Sequence, residues 1–471
     1  MLRLLLNLNH FNLTEDYMKS HYGVLSFVLV FLFFSFSNSL SQNKNFIGTK
    51  LIKENGKVSF QTIPAENKSG VQTTEQVKSL LNNTTGNKYV LGGNVLWSTQ
   101  DGSAIANNVA INNAGNSALC GWGLNNMRAS LYSDANSVPV WDFSTNPFDP
   151  VVDISGDGSI MAVIAGDHFY ILNPSTGNVN YQFVLPDTLN ASAVSVSRNG
   201  AMAVFLSNAS GNSTTSRVYA LDLSGTPSIK WTFDVDVSKI VNWTGVKFSA
   251  DGSTVAITGR NHLYILNSTD GSLIWDHFVD NTESAPAISG DGKIVCTADN
   301  SGFVQTWHFN SVSNEYELLW QYRVPPGTYT NWASSVGISA DGRTIAAGSL
   351  IFVSGSSFDG TVICFDTYGD GTPKWIHSGI GDNVDDISVS DDGRVVAAVS
   401  WGDYYQTSRQ SLIVFDVATG QPTFEVKSPG SFFTVAMNPS GSRVIAGGKA
   451  VHARELGNGG RLFLCEINLG G

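Results

Sequence analysis

Charge is scarce in this chain. Only 14% of its 471 residues are Asp, Glu, Lys or Arg, against about 25% in an average soluble protein. Disordered coils and exposed helical rods both depend on many charged side chains, so neither class fits. Cations are the scarcer sign, 27 against 39 acidic residues, giving a formal net charge of −12. Binding to a phosphate backbone requires clustered Lys and Arg, so nucleic acid is not an expected partner. Cysteine is rarer still. Cys120, Cys296, Cys364 and Cys465 show no CxxC spacing, which removes zinc-ribbon and thioredoxin-type motifs. The segments TVICFD and RLFLCEI place two of them inside apolar strands, as small core residues. The eight histidines lack HxH and HExxH spacings and no GxSxG elbow occurs, so neither a zinc site nor a hydrolase of that type is supported.

Long apolar runs are also missing. The longest uncharged one, residues 23–36 (GVLSFVLVFLFFSF), follows Lys19 and precedes a Ser- and Asn-rich stretch ending at Gln42. A membrane span needs about 20 apolar residues, whereas a secretory signal core needs about 7–15. Residues 1–41 therefore read as a signal peptide starting at Met18 and cleaved before Gln42, with an uncleaved anchor as the alternative. Either way the remainder is expected outside the cytoplasm, secreted or in the cell envelope, with no transmembrane segment after cleavage. Residues 42–87 are polar and read as a linker, with at most a short helix around Thr74 to Leu81.

What the chain has in quantity is glycine, 47 residues, and it is periodic. From Lys88 a turn of the Ser-x-Asp-Gly type recurs eight times, ending at Gly115, Gly158, Gly200, Gly252, Gly292, Gly342, Gly393 and Gly441. The spacings are 43, 42, 52, 40, 50, 51 and 48 residues, the period of a four-stranded propeller blade. Asp-Gly and Asn-Gly supply the positive-φ positions of a tight hairpin. Each copy also carries one large ring in a late strand: Trp97, Trp141, Tyr181, Trp231, Trp275, Trp320, Trp375 and Phe424. Such a ring can cover the seam between adjacent sheets. The last copy ends at RLFLCEINLGG without its aromatic strand, and GGNVLWST stands unattached before the first. Pairing the two removes the open edge. The expected fold is all-β: a single eight-bladed β-propeller over residues 88–471, closed by pairing of its N- and C-terminal strands.

Segments such as LYILNSTDGSLIW and FYILNPSTGNVNY resemble the repeats of the quinoprotein-dehydrogenase-like (PQQ-like) β-propellers, and the ISxDG turns look like WD-type repeats. The resemblance covers Lys88 to the C-terminus. It implies the fold more than the function, because propellers host dehydrogenases, scaffolds and lectins alike. The family's enzymes hold a quinone and calcium in the central funnel, often beside adjacent cysteines, and no Cys-Cys pair is present here. Asp382, Asp385 and Asp386 could in principle ligate calcium, but their reading from sequence is a solvated loop. No cofactor is therefore expected, PQQ with calcium being the alternative.

The remaining candidate is a surface. Loops joining the second strand to the third, and links between blades, emerge on one face of a propeller. Those loops are long in copies six, seven, eight and one, which are consecutive around a closed ring. They carry Trp122, Arg128, Phe352, Phe358, Trp401, Tyr404, Tyr405, Arg409, His452 and Arg454, and Trp243 and Trp332 are expected nearer the axis. Aromatics and Arg dominate binding hot spots. The expected function is a non-catalytic, monomeric propeller binding a protein or glycan partner through this face. The alternatives are a quinone-dependent enzyme using the funnel, and an envelope assembly scaffold.

Overall fold

Each of the eight glycine turns joins the first strand of a sheet to the second. In the turn ending at Gly158, Asp157 Oδ1 accepts from Ser155 Oγ at 2.6 Å and from the Ser159 N–H at 2.9 Å. Gly158 then turns the chain at φ 76°, a conformation that a Cβ disfavours. The same Ser–Asp bond recurs in Ser249–Asp251, Ser289–Asp291, Ser339–Asp341 and Ser390–Asp392.

The computed structural model describes residues 46–54, 57–64 and 92–470, apart from 187–188, 210–214, 237–242, 260, 283, 328, 355–356 and 405–408. The described residues contain no helix, and hence none long and apolar enough to cross a membrane. The chain divides into units at Phe46/Ile47, and the ring belongs to the second, Ile47–Gly471. Within the stretch expected to be a linker, Phe46–Glu54 and Lys57–Pro64 pair in a two-stranded sheet. The apolar run at 23–36 and the helix expected near Thr74 lie outside the described residues.

Eight four-stranded antiparallel sheets follow. Blade 2 is representative: Val151–Ile154, Met161–Ala165, His168–Leu172 and Val179–Val184, in that order from the inside outward. Its second strand, MAVIA, is buried throughout. A strand covered on both faces reads as a continuous apolar run, which explains the Ala/Val segments of every repeat. Blade 8 consists of Phe432–Met437, Arg443–Lys449 and Gly460–Asn468, completed on the outside by Gly92–Asp101. The register runs from Gly92 opposite Asn468 to Asp101 opposite Gly460. The closure expected from the sequence is thus the one observed.

The aromatic slot closes the seams as expected, with hydrogen bonds added. Trp97, Trp141, Trp231, Trp320 and Trp375 each donate the indole N–H to a carbonyl of the following blade: Ser133, Pro174, Ser268, Thr367 and Val417, at 2.7–3.0 Å. Gly271 illustrates the fit. At φ 72° it lies so close to Trp231 that an added Cβ would fall 2.6 Å from the ring.

Polar side chains on the innermost strands stitch neighbouring blades around the central channel. Asn108 Oδ1 accepts from the Val152 N–H and Asp153 Oδ2 from that of Val196, both at 2.7 Å. Asp386 Oδ2 accepts from Val435 at 2.9 Å and Thr434 Oγ1 from Val109 at 3.2 Å. At the turn end, backbone bonds link turn to turn: Asn113 to Gly156, Gly156 to Arg198, Gly290 to Ala340 and Asp391 to Pro439, each at 2.8 Å. Across this end Arg198 of blade 3 donates twice to Asp391 of blade 7, at 2.7 and 3.0 Å. The cavity it crosses, about 280 Å³, is lined by all eight blades.

Candidate functional site

The opposite end of the channel is built by the long loops. In blade 6 the strands Thr344–Ser354 and Ser357–Asp366 continue their pairing out to Phe352 opposite Phe358. This raised hairpin carries an aromatic cluster, with Phe352 edge-on to Phe358 at 5.5 Å and to Trp332 at 5.4 Å. From blade 8 the loop after Lys449 brings Arg454 across. Its guanidinium carbon sits 3.8 Å from the centroid of the Phe358 ring and 5.3 Å from that of Trp401 in blade 7. A planar cation between two rings is held by their negative faces.

That guanidinium also forms a fork. Arg454 Nε and Nη2 donate to the two oxygens of Asp382 at 2.6 and 3.0 Å. Asp382 lies in the link from blade 6 to blade 7 and is only 2% exposed. Its own N–H donates to Gly402 O at 3.0 Å, which fixes the carboxylate beneath the hairpin. His452 is fully buried alongside. Its Nδ1 accepts the Arg454 N–H at 3.1 Å, so the remaining proton sits on Nε2, facing Gly402 O at 3.3 Å and Asp382 at 3.7 Å. The Tyr404 ring stands edge-on to His452 at 5.0 Å and is 41% exposed. Removing either partner of a buried, bidentate ion pair leaves an uncompensated charge, so the three loops hold one another in place.

Seven expected residues therefore meet in one assembly from blades 6, 7 and 8: Trp332, Phe352, Phe358, Trp401, Tyr404, His452 and Arg454. Two others do not join it. Trp122 is buried in blade 1, donating to Tyr132 Oη at 3.2 Å, and Arg128 stacks over it at 5.0 Å while pairing with Asp101 at 2.9 Å. This brace ties blade 1 to the closing strand. Trp243 and Arg409 stand at the starts of Trp243–Phe248 and Arg409–Asp416, and their side chains, like all of Tyr405, lie outside the described residues. Trp401, read from sequence as a loop aromatic, is 8% exposed and packs edge-on to Phe433 at 6.2 Å.

The acidic run IGDNVDD is corrected more sharply. Asp382 is the buried anchor just described, and Asp385 and Asp386 occupy the innermost strand Val384–Val389. Burial pushes the Asp385 carboxyl up to about 8 and that of Asp386 up to about 6. In the blade 6 hairpin burial likewise pushes Asp359 up to about 7. For Asp385 and Asp386 the signal that could have located them was position within a first strand, as for Asp153 in VVDIS of blade 2, which lines the channel.

A quinone with calcium does not fit these residues. Among the described residues no three His, Cys, Asp or Glu side chains are grouped to hold a metal. Asp382 is spent on Arg454, and Asp391 on Arg198 across the turn end of the channel. The cysteines are buried, free and separate.

A family model described as outer membrane protein assembly factor BamB matches residues 93–377. Sqt1 of Saccharomyces cerevisiae superposes with a TM-score of 0.58 at 10% identity, covering 79% of this chain and 99% of that one. Sqt1 of Chaetomium thermophilum gives 0.60 at 12% identity, over 80% and 99%. The same protein bound to the N-terminus of ribosomal protein L10 gives 0.61 at 11%, over 79% and 100%. At such identities the likeness is one of fold. No curated protein matches the chain.

Proposed function

Since the chain belongs to the BamB-type family of PQQ-like β-propellers, we propose that it is a non-catalytic, extracytoplasmic propeller that binds a protein partner through the loop face of blades 6–8. One observation carries this reading. Loops from three successive blades are locked to a single buried ion pair, Asp382–Arg454, and lift Tyr404 and the Phe352–Phe358 hairpin above the ring. A rigid platform of aromatic and Arg side chains lowers the ordering cost of binding. The turn face, sealed by its backbone bonds and Arg198–Asp391, has no such relief. The family's description, an assembly factor of outer-membrane proteins, agrees with a scaffold exported by the apolar segment at 23–36. The complex of Sqt1 with a ribosomal-protein N-terminus shows that this fold can receive a peptide.

The test is site-specific crosslinking in the native host. A photoreactive phenylalanine at Tyr404 is expected to capture a protein, whereas one at Tyr368, exposed in a turn at the other end of blade 6, is not. Equal capture at both positions, none at either, or capture of glycan alone would overturn the proposal.

A further inference from the structure

Beside the Asp382–Arg454 pair lies a second carboxyl with a different surrounding. Asn383 Nδ2 donates to Asp385 Oδ1 at 2.7 Å, which leaves Asp385 Oδ2 for something else. Asn383 is 8% exposed, and its Oδ1 has no hydrogen-bond partner. The indole N–H of Trp401, also 8% exposed, lies beside the Asp385 carboxyl without reaching hydrogen-bond geometry. Unsatisfied buried polar atoms are uncommon and call for a reason. The Asn383 amide, the Asp385 carboxyl and the Trp401 ring thus meet at the start of the blade 7 inner strand. The guanidinium of Arg454 is committed to Asp382.

We propose that Asp385 Oδ2 and Asn383 Oδ1 together receive the ammonium group of a lysine side chain from the partner. The inference rests on the loop-face reading and names the chemistry of that partner. A lysine fits better than an arginine for a geometric reason. Asp385 Oδ1 is already taken by Asn383, so the carboxylate cannot accept a guanidinium fork, while a compact ammonium can direct its donors to two separate oxygens. Burial, with Asp386 and Asp382 nearby, raises the pKa of Asp385, and an arriving ammonium favours the ionised form.

The test uses the full chain, labelled with 15N, and Nα-acetyl-lysine methylamide as probe. The Trp401 indole resonance, assigned through Trp401→Phe, is expected to shift saturably with the probe and to stay still with the Nε-acetylated form. In Asp385→Asn the apparent affinity is expected to fall at least about tenfold, the scale of a hydrogen bond to a charged group. Should Asp385→Asn lose its dispersed indole spectrum, Asn383→Leu removes the free acceptor and reports the same loss. No saturable shift, or an equal shift with the acetylated probe, overturns the lysine inference. In that event continued crosslinking from Tyr404 leaves the loop-face reading standing, and its disappearance removes both.

Discussion

If the ring is held shut by its own ends, the sensitive point is Trp97 on the closing strand. Its ring is 8% exposed, packs against Tyr132 at a centroid distance of 5.3 Å and donates to Ser133 O at 3.0 Å. Trp97→Ala removes a buried aromatic, a loss of about 3–5 kcal/mol, and strips the Ser133 carbonyl of its donor, about 1 kcal/mol more. Trp97→Phe keeps most of the packing and should cost about 1–2 kcal/mol. Deleting residues 88–99 goes further. It opens most of the ladder from Gly92–Asn468 to Asp101–Gly460 and bares the edge of Gly460–Asn468. Against a total stability of about 5–15 kcal/mol, the deletion should remove cooperative unfolding of the ring or lower its midpoint drastically. Urea titration followed by near-ultraviolet circular dichroism reads all three variants. The order expected is Phe, Ala, deletion, with increasing loss. A deletion variant with the wild-type midpoint and slope would show that the strand only decorates an already closed ring, and the closure argument would fail.

Further outcomes follow from other buried groups. Arg454→Met should destabilise by about 3–5 kcal/mol because Asp382 is left charged and enclosed, and Asp382→Leu in the same chain should recover much of it; a double-mutant cycle in urea measures the coupling, and additive losses would contradict a shared pair. Burial raises the folded-state pKa of Asp385 to about 8 from an ordinary 3.8, so the folded chain retains a proton that the unfolded chain releases. Its contribution to stability therefore declines as pH rises from about 4 to about 8, and Asp385→Asn should flatten the melting profile in that window; an unchanged profile would refute this. The four buried thiols, of which Cys364 and Cys465 are pushed up to about 12 by burial, should resist a thiol reagent until the ring unfolds. Fast labelling of the native chain would contradict that packing.

The repeat was readable because each of its marks has a local cause. A positive φ demands glycine at Gly158, and a strand covered on both sides demands a run such as MAVIA. A seam demands a large ring at Trp231. The closing strand was readable for the same reason, since GGNVLWST carries the mark of a blade it does not precede. The assembly at the loop end has no such marks. Asp382 and Arg454 are 72 residues apart and meet only because blades 6 to 8 are adjacent in space. The acidic run at Asp382 reads as a solvated loop when neighbours in space are unknown, and Trp401 reads as exposed because the rings of Phe433 and Arg454's stacking come from another blade.

The two ends of the channel also obey different constraints, and this locates function on one of them. At the turn end the variable residue of each Ser-x-Asp-Gly turn faces the axis. Most are small or backbone-bonded, as at Gly156, Ala250, Gly290 and Ala340, because the ring leaves them little room. The exceptions, Arg198 and Asp391, satisfy each other across the gap. At the loop end the strands have finished pairing, so length and residue type are free to vary from blade to blade. Blades 6 to 8 use that freedom to bury one ion pair, stack one arginine, and leave Asn383 Oδ1 without a donor. An enclosed acceptor without a donor costs stability. At the mouth of the channel that cost falls on Asn383 Oδ1, whose amide nitrogen is already committed to Asp385, and a donor supplied by another molecule would remove it.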